Sequence, residues 1–138
     1  MSRKGISTRV RRLVRERAGG RCEYCLLPEP DSIIRHQLDH ILARKHQGRN
    51  SAANLAYCCA LCNKHKGSDV SSVDTITGRL EPLFHPRLHL WTEHFRVVGL
   101  RITPLSGVGR VTIRLLQLNH PDRIAERRVR RATGLIWP

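Results

Sequence analysis

The chain has 138 residues, of which 25 are Lys or Arg and 11 are Asp or Glu, for a formal net charge of +14. That length fits one core with short extensions, and so lopsided a charge excludes an ordinary handler of small neutral metabolites while suiting a polyanion, nucleic acid first. The basic residues are spread along the whole chain rather than along one amphipathic helix, no apolar run approaches the ~20 residues that span a bilayer, and no apolar stretch follows Met1-Ser2-Arg3-Lys4. The sequence therefore predicts a cytoplasmic protein without a membrane partner.

Residues 7–18 read as an amphipathic helix, capped by Ser7 or Thr8 and ended by Gly19-Gly20, with Val10, Leu13, Val14 and Ala18 on its apolar stripe. Its arginines are a solvated face by default; Arg9, Arg11, Arg12 and Arg15 are dense enough to be phosphate contacts. Cys22-Glu23-Tyr24-Cys25 follows, then turn residues over 26–31 and a strand over 32–40 that ends at Asp39-His40. After a loop over 43–53 containing Gly48, Asn54-Leu55-Ala56-Tyr57 leads into Cys59-Ala60-Leu61-Cys62, and Cys62 opens a short helix carrying Asn63, Lys64 and Lys66.

Two Cys-x-x-Cys pairs can each present two thiolates to one tetrahedral ion, so Cys22, Cys25, Cys59 and Cys62 are predicted to hold a structural Zn²⁺. An odd number of cysteines without an export signal argues against disulfides, and Cys58, the one left over, reads as a small buried hydrophobe. Farther on, residues 74–80 predict a turn between extended segments and residues 95–102 a strand broken at Gly99. Val108, Val111, Leu115 and Leu118 recur at helical spacing. A second helix starts at Pro121 behind Asn119 or His120, buries Ile124, Ala125, Val129 and Ala132, and stops at Gly134. The expected organisation is a single α+β domain over 1–138: a basic helix in 1–21, a core in 22–67 and a strand and helix extension in 68–138.

The ordered string Cys22-x-x-Cys25, Asp39-His40-Ile41, Asn54-Leu55, Cys59-x-x-Cys62-Asn63-x-x-Lys66-Gly67 resembles the HNH endonucleases of the ββα-metal superfamily. Leu83-Phe84-His85-Pro86-Arg87 and Trp91-Thr92-Glu93-His94-Phe95 also resemble an extension found in many bacterial members. The resemblance implies a small zinc-stabilised ββα-metal core that hydrolyses phosphodiester bonds of double-stranded DNA, nicking with one centre and leaving 5′-phosphate and 3′-hydroxyl ends. It makes His40 the general base, gives Asp39 and Asn63 one Mg²⁺ or Mn²⁺, and has Asn54 fix the loop and orient His40. Lys64 and Lys66 read as solvated charges or, one turn from a metal-bound phosphate, as phosphate contacts. A hard divalent ion suits two protein oxygens plus waters and phosphate. Asn63 stands where many members have histidine, Ala43 where a proline is often found, and Gly48-Arg49 where a glycine pair is usual. Blander expectations stand beside these: His36 on a strand surface, His65 exposed on a helix, His46 in a loop. The rival function is a non-catalytic zinc module that binds nucleic acid through charge.

Overall fold

Helix α1 (Thr8–Arg17) begins where the Ser7 hydroxyl accepts a hydrogen bond from the Val10 amide, which satisfies one of the amides a helix start leaves without a partner. The computed structural model describes residues 5–29 and 35–138; Met1-Ser2-Arg3-Lys4 and residues 30–34 of the expected turn and strand lie outside the described residues. Val14 is the fully buried residue of α1 and packs with Val10, Ala18 and Ile6 on Leu38, Leu55 and Tyr57. Leu13, expected on the same stripe, is exposed. Arg17 donates to the carbonyls of Ala52 and Leu55, tying the helix to the loop that follows the next strand.

Strand β1 (Gln37–His40) runs antiparallel to β2 (Leu55–Cys58), with Gln37 opposite Cys58 and His40 opposite Leu55. The connection carries 3-10 turns at Arg44–His46 and Ala52–Asn54. Helix α2 (Ala60–Lys66) follows at once, and it starts earlier than expected because the Cys59 sulfur caps it by accepting the Cys62 amide. The order is strand, strand, helix, with one cysteine pair before the hairpin and one at its end.

The rest of the described chain closes over this unit. Strands β3 (Ser71–Val73) and β4 (Leu80–Pro82) pair across the turn that Asp74 organises through the Ile76 amide and Thr77 hydroxyl. A short helix α3 (Trp91–His94) leads into β5 (Phe95–Val98) and β6 (Arg101–Pro104). The broken strand expected over 95–102 is thus a hairpin: Gly99 takes φ +61°, which reverses the chain where a side chain would resist it. Helices α4 (Gly107–Leu116) and α5 (Pro121–Ala132) begin at Ser106 and His120, each capped by its side chain. Phe84, Phe95, Ile102, Val111 and Leu118 form the main core with the cysteines. No described helix is long and apolar enough to cross a membrane.

The stripe expected of α5 is not the one buried. Val129, Ala125 and Ala132 are exposed and Ile124 is only half-buried, whereas Arg123 and Arg127, four residues apart, are the buried residues of the helix. The reason lies underneath: the helix sits on sulfurs and carbonyl ends, which call for donors rather than for hydrocarbon.

Candidate active site and metal centre

The two cysteine pairs fold into one pocket of sulfur. All four Sγ atoms lie within 4.8 Å of one another, and Cys25 Sγ is 3.7 Å from Cys59 Sγ; zinc–sulfur bonds of ~2.3 Å in a tetrahedron set sulfurs about 3.8 Å apart. In each pair the second cysteine's amide points at the first one's sulfur, at 3.5 Å in Cys22-Cys25 and 3.4 Å in Cys59-Cys62. Burial, and then hydrogen bonding among the neighbouring cysteines, pushes the Cys62 thiol well above its usual range, so a divalent cation is what lets all four ionise together. The donor set fits structural zinc. Cys58 is buried beside the site, with its thiol on the Cys59 carbonyl.

Four thiolates around Zn²⁺ would leave net negative charge, and α5 sets an arginine against these sulfurs. Arg123 Nη2 lies 3.0 Å from Cys62 Sγ and 3.6 Å from Cys59 Sγ, while Nη1 donates to the Leu116 carbonyl at 2.9 Å. Burial opposes the charge on this guanidinium, but attraction to Cys62 and Cys25 outweighs that cost and the net shift is upward. Arg127 spans the carbonyls of Leu100 and Leu118 and lies 4.6 Å over the Trp137 ring. Neither arginine is marked in the sequence, where both sit among other basic residues of the same helix.

His40 and Asp39 face opposite ways from the end of β1, as alternate residues of a strand must. His40 is half-buried, and its Nε2 is 2.7 Å from Oδ1 of Asn50, an oxygen that only accepts. Nε2 is the donor in this contact, and in the neutral ring Nδ1 is then the nitrogen that carries the lone pair. Asn54 holds the loop that brings Asn50 there. Its Oδ1 accepts the Leu42 amide, its Nδ2 donates to the carbonyls of Leu42 and Arg49, and its own carbonyl takes the Ile41 amide, all at 2.9 Å. Gly48 permits the path: a Cβ there would fall 1.6 Å from the Leu42 carbonyl oxygen.

Asp39 is 3% exposed. Its carboxylate accepts from the Tyr24 hydroxyl at 2.9 Å and faces the Lys66 ammonium at 3.2 and 3.3 Å. Burial pushes the carboxyl up, and the charge of Lys66 and the Tyr24 hydrogen bond offset this only in part. Asn63 is half-buried and gives its amide nitrogen to Gln37 at 2.5 Å, so Oδ1 is the oxygen it can offer. A hydrated Mg²⁺ or Mn²⁺ wants oxygens at about 2.1 Å and keeps several waters. A sealed carboxylate already held by a phenol and an ammonium does not fit that ion as it stands. Among the described residues, the four cysteines are the one group of three or more Cys, His, Asp or Glu side chains close enough to share a metal.

The arginine face lies on the His40 side of the hairpin. A cleft of about 470 Å³ is lined by Arg11, Arg12, Arg15 and Arg35 together with Tyr57 and Leu38, and Leu38 shares the strand face of His40. Arg9, Arg11 and Arg12 are exposed; Arg15 is half-buried and paired with Glu29 at 3.0 Å. Lys64 is exposed, but Lys66, expected near phosphate, is buried on Asp39. His36 also departs from expectation: it is buried, with Nε2 2.8 Å from the Leu27 carbonyl and its ring against Tyr57. His65 is half-buried, and His46 is exposed in its 3-10 turn.

The family model for HNH endonuclease matches residues 22–69, about a third of the chain, which takes in both cysteine pairs, the hairpin and α2. No curated protein matches the chain, and no solved structure does.

Proposed function

With residues 22–69 an HNH endonuclease domain built round a four-cysteine metal centre, we propose that the protein hydrolyses phosphodiester bonds of double-stranded DNA with His40 as the general base. One observation carries this reading: the Asn50 oxygen engages Nε2 of His40, and His40 shares its strand face with Leu38, which lines the arginine cleft. In the neutral ring Nδ1 is the nitrogen that can take the proton of a water that attacks phosphorus. The 3′ oxygen leaves and 5′-phosphate and 3′-hydroxyl ends result. Arg9, Arg11, Arg12, Arg15 and Lys64 would contact flanking phosphates, positioning the duplex without reading its sequence. Asn54 holds the loop and Asn50 orients the base. A Mg²⁺ or Mn²⁺ ion would supply stabilisation of charge on the scissile phosphate; the protein oxygen still open to it is on Asn63, since Asp39 is committed to Lys66. One centre cuts one strand.

The test is nicking of supercoiled plasmid with Mg²⁺ or Mn²⁺, with and without EDTA. His40→Ala should lose about 10²–10⁴-fold in rate while keeping the parent's zinc content, melting temperature and DNA affinity. Unchanged nicking by His40→Ala would overturn the assignment. The neutralised Asp39 favours a second reading, a zinc module that binds nucleic acid without cutting it, and binding without nicking under any divalent ion would select that one.

A further inference from the structure

The Lys66 side chain runs back from the last turn of α2 into the end of β1, where three consecutive residues surround its ammonium. Nζ lies 3.3 and 3.2 Å from the two carboxylate oxygens of Asp39, 3.1 Å from the His40 carbonyl and 3.3 Å from the Ile41 carbonyl. Both partners are sealed, at 2% and 3% side-chain exposure. An ammonium has three hydrogens to give, and here four oxygens share them. A buried Lys is tolerated only with a counter-charge and with its donors engaged, and both conditions are met.

We propose that Lys66 is the resident cation of this site: its ammonium holds the place at Asp39 that the HNH resemblance gives to a divalent metal, and it closes that carboxylate to Mg²⁺ and Mn²⁺. The inference rests on the nuclease reading for the identity of the site but not on whether the protein cuts DNA. The chemistry favours occupation by Lys66 on three counts. A divalent ion at Asp39 would either share one carboxylate with a neighbouring positive charge or expel it. Expulsion would leave the carbonyls of His40 and Ile41 without their buried donor. The ion would also find no ready-made ligand set at Asp39, since among the described residues only the cysteines form a group of three or more Cys, His, Asp or Glu side chains close enough to share a metal. Lys66 thus does two things at once: it neutralises Asp39, and it ties α2 to the backbone of the residue expected to act as base.

Titration of Mn²⁺ into the zinc-loaded full chain, followed by loss of the free-Mn²⁺ electron paramagnetic resonance signal, tests this without reference to cleavage. The parent and Asp39→Asn should bind Mn²⁺ with the same weak affinity. Lys66→Met should gain a site at least tenfold tighter, and Lys66→Met/Asp39→Asn should lose it again. A tenfold or greater weakening in Asp39→Asn alone would overturn the proposal, because it would show the parent's carboxylate already in use by the ion. A folded Lys66→Met that gains nothing would overturn it equally. Should Lys66→Met fail to fold, the parent and Asp39→Asn still decide between the two: equal affinity upholds Lys66 as the resident cation and a loss refutes it. Failure of plasmid nicking in every protein, with this binding pattern intact, would remove the nuclease reading and leave the inference standing.

Discussion

Helices α1 and α5 carry five arginines each, and they sit on the protein the opposite way round. In α1 the aliphatic side is down, with Val14 fully buried on Leu55 and Tyr57, and Arg9, Arg11 and Arg12 face solvent. In α5 two arginines are down, Arg123 on cysteine sulfurs and Arg127 on carbonyl oxygens, and Val129 is out at 60% exposure. The residue type does not decide which face is buried. What decides is the surface that waits for the helix: a hydrocarbon floor takes the aliphatic stripe, and a floor of thiolates and helix-end carbonyls takes guanidinium.

The largest way to break the contrast is to remove the anion under α5. Cys62→Ser should cost most of the site's folding energy, and structural zinc is worth ~10–16 kcal/mol in small modules, comparable to the ~5–15 kcal/mol net stability of a domain. The expected result is a chain that binds no zinc and shows no cooperative melt, checked by elemental analysis and calorimetry. Wild-type zinc content and melting in this variant would show that the metal does not hold the fold.

A smaller and more pointed effect comes from exchanging one arginine at a time. Arg123→Ala leaves buried negative charge uncompensated and should cost about 3–5 kcal/mol, read as a lower denaturant midpoint. Arg12→Ala on the exposed face should stay within roughly 0.5 kcal/mol of the parent, but should flatten the dependence of log DNA affinity on log salt by about 0.9. Equal stability losses at the two sites would erase the distinction between the helices.

The mildest case stands between these extremes. Arg110 of α4 is one-third exposed and makes a two-point contact with the buried Asp74, at 3.0 and 2.8 Å. Hydrogen bonding to Arg110 outweighs burial and, with the Ile76 amide and Thr77 hydroxyl, holds the Asp74 carboxyl well below the usual carboxylate range. A depressed carboxyl stabilises the fold above its unfolded value, about 3.9, and loses that contribution as pH falls toward the folded one. The difference in melting temperature between the parent and Asp74→Asn should therefore be full near neutrality and shrink below about pH 4. A difference that stays constant through the acid range would show that the carboxylate's charge contributes nothing.

Much of this was legible in order along the chain. The cysteine spacing marked the metal centre, Ser7 and Pro121 marked helix starts, and Asp39-His40 fell at the end of a strand. Those features are local, set by spacing and by what a helix or strand end needs. Arg123 could not be read in advance, because its partners, Cys59 and Cys62, lie more than sixty residues away and its helix shows an ordinary apolar stripe on the wrong side. The same limit hid the Tyr24, Asp39 and Lys66 cluster: a lysine beside a candidate site reads as a solvated charge or a phosphate contact until a carboxylate and two carbonyls are found closed around it. Asn50 carried no mark at all, since only the loop path allowed by Gly48 and pinned by Asn54 brings it to His40.

The chain's two tryptophans are anchored in the same small turn. Trp91 donates its indole hydrogen to the Tyr24 carbonyl at 2.9 Å and Trp137 donates to the Cys25 carbonyl at 3.0 Å, adjacent residues of the first cysteine pair. Trp137 is 3% exposed, with the Arg127 guanidinium over its ring. Every indole chromophore in the protein thus looks at one knuckle, and ultraviolet emission becomes an unlabelled optical readout of that knuckle, its colour shifting to the red as water reaches rings that had been held against a closed turn.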